Sequence, residues 1–113
     1  MIKKKKFDKF VNQYFKSFSS KNLSELNKMF SKNIVLIDWN VNVKGKKKVL
    51  DMNKQFFKNK KIKVNLKRIF YNIKQRAVSC KIDLKINNKK LDIIDLIHFD
   101  KKMKIVKIEA YLG

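Results

Sequence analysis

The chain has 113 residues, 44% of them hydrophobic and spread along its whole length, with a single cysteine and a formal net charge of +21. That length suits one domain over residues 1–113 with one core; the apolar content excludes long-range disorder, and the lone Cys80 excludes an intrachain disulfide or a Cys-rich zinc site. The longest uninterrupted apolar run, Ile34 to Ile37, is far below the about 18 residues that a membrane-spanning helix needs, so no membrane association is expected.

Phe7, Phe10, Val11, Tyr14, Phe15 and Phe18 recur at helical spacing and form one apolar face, which predicts a long first helix. Ser19 to Asn22 breaks the pattern. Asn22 with Glu25 three residues on resembles a capping box and starts a short second helix that buries Leu23, Leu26, Met29 and Phe30. From Asn33 to Val43 the β-branched residues predict an extended strand bent near Asp38 to Asn40, and Gly45 marks a turn. Helical spacing returns from Lys46 to Asn59, with Val49, Leu50, Met52, Phe56 and Phe57 on the apolar side.

Beyond Lys61 the period changes to two. Ile62, Val64 and Leu66 alternate with polar residues, then the phase slips so that Ile69, Tyr71 and Ile73 continue, which predicts a β-bulge near Lys67 or Arg68 and a curved sheet. Val78 to Ile86 alternates as a second strand, and Asn87-Asn88 suits the positive φ of a tight hairpin. Leu91 to Phe99 and Lys104 to Leu112 predict two more strands across a turn at Asp100 to Met103.

This order resembles the SnoaL-like and ketosteroid isomerase-like proteins of the nuclear transport factor 2-like superfamily. The likeness is carried by Tyr14 to Leu23 (a Tyr-bearing helix leaving into a capped second helix), Met29 to Asn33, Leu36-Ile37-Asp38-Trp39 followed by Gly45, and Asp95 to Asp100 with Lys104-Ile105. It implies a cone-shaped α+β fold, three helices packed on a curved antiparallel sheet in the order α-α-β-α-β-β-β-β. It further implies a small-molecule pocket and proton-transfer chemistry without a cofactor or metal. In ketosteroid isomerase an aspartate moves a proton while a tyrosine and a protonated aspartic acid hold the enolate oxygen. The resemblance puts Asp38 at the base and Tyr14 at the tyrosine, but the third position falls on Ile97, which cannot donate a hydrogen bond. The nearest carboxyl on that strand face is Asp95, two residues earlier and about 6 to 7 Å along the strand. A second departure is Met103, where the family's turn commonly carries glycine.

The residue types bear on the same positions independently. Tyr14 lies mid-stripe, so its hydroxyl needs a partner. Asp38 follows four apolar residues, surroundings that raise a carboxyl pKa. Asp95 sits between Ile93 and Ile97 on the inward face, where an unpaired charge is costly. Expected pocket walls are Phe18, Trp39 and Phe56 on one side and Ile82, Leu84, Ile97, Ile108 and Ala110 on the sheet, with Trp39 equally suited to an oligomer interface. His98 has outward parity, and Cys80 reads as a small buried hydrophobe.

Ile94, Leu96 and Tyr111 make the outer sheet face apolar too, which predicts a homodimer through that face. Lys accounts for most of the thirty basic residues, while Arg, Gly and Pro are scarce and Ile, Asn and Phe abundant, a bias that AT-rich codons produce whatever the protein does. Only non-specific, salt-sensitive nucleic-acid binding is therefore expected. Asp8, Lys9, Asn12 and Gln13 interrupt the apolar stretch that a secretory leader would need after Met1 to Lys6, so a cytoplasmic location is expected. The function expected is a pocket protein for a small apolar molecule, an isomerase or cyclase-like enzyme, with a non-catalytic ligand-binding or assembly module as the alternative.

Overall fold

The computed structural model describes residues 4–113; Met1 to Lys3, the start of the basic N-terminal run, lie outside the described residues. Helix α1 (Lys4–Ser19) buries Phe7, Val11, Tyr14 and Phe15 on the expected stripe. It ends in a Schellman-type turn: Asn22 N–H donates to Ser17 O at 2.8 Å and Lys21 N–H to Phe18 O at 3.1 Å, with Lys21 left-handed at φ 59°. Asn22 then caps α2 (Leu23–Met29) by accepting from Glu25 N at 3.1 Å. Only that half of the expected capping box forms. The Asn22 amide is already committed to Ser17, and the Glu25 carboxylate turns to Lys28 at 3.4 Å.

The predicted bent strand is two strands, β1 (Phe30–Ile37) and β2 (Asn42–Lys44), paired antiparallel as a hairpin. Asp38 makes the bend: Oδ1 accepts from Asn40 N at 2.7 Å and Val41 N at 2.8 Å, an Asx-type turn. Gly45 follows at φ 96°, with its N–H bound to Ile34 O at 2.8 Å, and starts α3 (Lys46–Phe57). No atom lies where a Cβ would fall, so conformation rather than space favours glycine there.

The meander is β3 (Ile62–Asn72), β4 (Ala77–Ile86), β5 (Lys89–Phe99) and β6 (Ile105–Leu112). Its bulge is where the phase slip put it, the register shifting between Leu66 and Arg68. Asn87 takes φ 56° in the two-residue β4–β5 turn. The six strands run in the order β2-β1-β6-β5-β4-β3 as one sheet. The fold class is the α+β arrangement expected, with one difference: β1 pairs parallel with β6, so the sheet is mixed rather than wholly antiparallel. The α3 crossover and the three hairpins of the meander bring β6 back beside β1 in the same direction.

The helices cover the inner face of the sheet. At one end Phe7 and Phe10 close on Phe99, with ring centroids 5.7 and 6.3 Å apart, and the space fills completely around Phe30, Ile97 and Ile105. Tyr71, on β3, donates to Asp8 on α1 and ties that end of the helix to the sheet edge. At the other end, beyond Tyr14, the helices and sheet part. No described helix is long and apolar enough to cross a membrane.

Candidate active site: an apolar cavity with three buried polar side chains

Between the C-terminal half of α1, α3, the β1–β2 turn and the inner faces of β4, β5 and β6 lies a cavity of about 150 Å³. Tyr14 enters from α1, Asp38 and Trp39 from the turn, Asn53 and Phe56 from α3, and Asp95 from the middle of β5. Phe18, Ile82, Leu84, Ile108 and Ala110 also line it, as the sequence suggested. Ile97 does not. Strand parity puts it on the inner face, but it lies two residues nearer the closed end, fully buried in the core.

Asp95 is 8% exposed, flanked across the sheet by Cys80 and Ala110. Burial, and secondarily the charge of Asp38, pushes its carboxyl up to about 7. Tyr14 is also buried, its ring against Phe15 and Phe18 at centroid distances of 5.1 and 6.1 Å. Burial, then Asp95 and Cys80, raises its hydroxyl well above the usual phenol range, so it is a neutral donor at every physiological pH. Among the described residues neither Tyr14 nor Asp95 has a hydrogen-bond partner, yet neither is sealed off: their polar atoms open on the cavity.

Asp38 differs. It is half-buried, and its Oδ1 is spent on the Asn40 and Val41 amides, which leaves Oδ2 for the cavity. The buried, unpaired carboxyl is thus Asp95 rather than Asp38, because the Asx turn that bends the strand also solvates Asp38 with backbone amides. Trp39 is 44% exposed and lines the cavity as well, so the cavity reaches the surface beside it.

Asn53 was not singled out from the sequence. It is 7% exposed and shares the core-facing stripe of α3 with Val49 and Phe57, four residues away on either side. That position, a polar residue in the centre of an apolar i, i+4, i+8 stripe, was the available signal. Cys80 is buried, and burial, then Asp95, pushes its thiol up to about 12, which makes it inert. His98 faces outward, 3.3 Å from the Glu109 carboxylate. Among the described residues no three His, Cys, Asp or Glu side chains converge as a metal site would require.

The arrangement of helices and sheet is the nuclear transport factor 2-like fold, in agreement with the resemblance read from the sequence. The chain is similar to an NTF2-like protein of unknown function from Cytophaga hutchinsonii ATCC 33406 (TM-score 0.78, 16% identity, 92% of this chain and 87% of that one). It is similar also to the epoxide hydrolase/cyclase-like enzyme SalBIII of pyran ring formation in salinomycin (TM-score 0.82, 13% identity, 100% and 95% covered). A third similar structure, from Kribbella flavida DSM 17836, is assigned as a ketosteroid isomerase (TM-score 0.80, 8% identity, 92% and 75% covered). No family model matches the sequence, and no curated protein matches it.

Proposed function

We propose that the protein binds a small, mostly apolar carbonyl compound in this cavity and moves a proton on the carbon beside the carbonyl. The observation that carries the reading is the meeting of Tyr14, Asp38 and Asp95 on one apolar cavity, with two of the three lacking a hydrogen-bond partner among the described residues. Tyr14, and Asp95 in its neutral form, would donate to the carbonyl oxygen and stabilise the enolate charge that develops there. The free Oδ2 of Asp38 would take and return the proton. A ketosteroid isomerase uses such a step, and one of the similar structures carries that assignment.

The test is exchange of α-protons of cyclohexanone for deuterium in D₂O, followed by proton NMR. Wild type should accelerate exchange over buffer, and Asp38→Asn, with folding intact, should lose at least about 100-fold, the usual contribution of a positioned base. Equal rates for the two proteins would remove Asp38 from the chemistry. One observation favours a non-catalytic ligand carrier instead: an Asp38 whose Oδ1 is fully used by its own turn serves the fold whether or not it serves a reaction. That reading predicts bound cyclohexanone whose protons exchange no faster than in buffer.

Homodimerisation through the outer sheet face belongs to the same reading. Phe70, Ile94 and Tyr111 are 55%, 39% and 52% exposed there. Because a net charge of +21 on each copy opposes association, the dimer should strengthen with added salt. A monomer at every salt concentration in sedimentation analysis would count against it.

A further inference from the structure

Resting on the cavity as the binding site, we infer that its ligand is a single-ring compound with two oxygen functions, one taken by Tyr14 and Asp95 and the other by the Asn53 amide. The size follows from the volume. The cavity holds about 150 Å³, and an engineered apolar cavity of about that volume accommodates benzene. A second fused ring has no room inside and would have to project past Trp39 into solvent.

The second oxygen follows from Asn53. Its side chain is more than nine-tenths buried, lines the cavity, and among the described residues hydrogen-bonds to nothing, while its polar atoms are not sealed off. The amide has its hydrogen-bonding groups turned to the cavity, where leucine would fit the Val49–Phe57 stripe with none. Asn53 rises from the helical wall, whereas Asp95 stands on the facing sheet, and no hydrogen bond joins it to Asp95 or Tyr14. The polar points are therefore separate, and a ligand spanning the cavity meets one at each wall. Phe18, Phe56, Ile82 and Leu84 make much of the remaining lining apolar.

The probes are cyclohexanone, 3- and 4-hydroxycyclohexanone, and the two-ring ketone 1-decalone, with dissociation constants read by NMR titration. Wild type should bind the better hydroxycyclohexanone about tenfold tighter than cyclohexanone, the gain of one buried hydrogen bond. In Asn53→Leu and Asn53→Ala the preference should fall to about unity, with cyclohexanone itself bound as well or better by the leucine variant. An unchanged preference in the folded variants, no preference in wild type because water alone satisfies Asn53, or 1-decalone bound as tightly as the single rings would each overturn the inference. The proton-transfer reading can fail separately: wild type that exchanges cyclohexanone protons no faster than buffer would remove it while the hydroxycyclohexanone preference and its loss in the Asn53 variants still stand.

Discussion

Replacing Asp95 by asparagine should stabilise the protein above neutral pH and leave it unchanged near pH 4. In the folded chain the Asp95 carboxyl is raised from its usual 3.8 to about 7, chiefly by burial. The folded state therefore holds its proton while the unfolded state has released it, and the unfolding free energy falls as pH rises from about 4 to about 7. At about 1.4 kcal/mol per pH unit the cost reaches about 4 kcal/mol once the buried carboxylate is forced to ionise. Asn has the same shape and no charge. It should recover most of that cost at pH 8, a gain in Tm on the order of 10 °C for a domain of this size, and none at pH 4. Thermal unfolding of both proteins across pH 4 to 9, followed by circular dichroism, reads the difference directly. A Tm difference that does not vary with pH, or an Asn variant less stable than wild type at pH 8, would refute the assignment of a buried, unpartnered carboxyl.

Met103 adopts φ 61° yet is 3% exposed, so Met103→Gly relieves about 1 kcal/mol of backbone strain but deletes a buried side chain worth about 2 to 5. The variant should lose about 2 kcal/mol in urea unfolding, and a gain would mean that the side chain contributes little. Cys80 should react with a thiol reagent such as DTNB only after unfolding, because its thiol is buried and pushed up to about 12; stoichiometric labelling of native protein at pH 8 would contradict its packing. The lysine surface should retain the protein on heparin at low salt and release it steeply as salt rises; a shallow dependence would argue against lysine–phosphate contacts.

Much of the fold is written in local patterns. The α1 stripe, the phase slip that becomes the bulge between Leu66 and Arg68, and the Asn87-Asn88 hairpin each follow from side-chain period or turn chemistry within a few residues. The parallel β1–β6 pairing is not local. Its partners Leu36 and Ile108 are far apart in the chain, and no period within either strand specifies the direction of the other. The site divides in the same way. Tyr14, Asp38 and Asp95 could be picked out as polar groups entering apolar surroundings, and all three line the cavity. Strand parity gives a face but not a depth, which is why Ile97 fell in the packed end while Asp95 faces the cavity. Asn53 was passed over because a search for the apolar side of α3 discards the one polar residue on it.

The most direct test of the account is a carbon-13 NMR titration of the Asp95 carboxyl, with and without cyclohexanone. The midpoint should be about 7 in the free protein and should move higher when a ketone oxygen accepts from the neutral acid. A carboxyl that titrates near 4, or a midpoint that saturating cyclohexanone leaves unmoved, would contradict a cavity built to hold a carbonyl compound against Asp95.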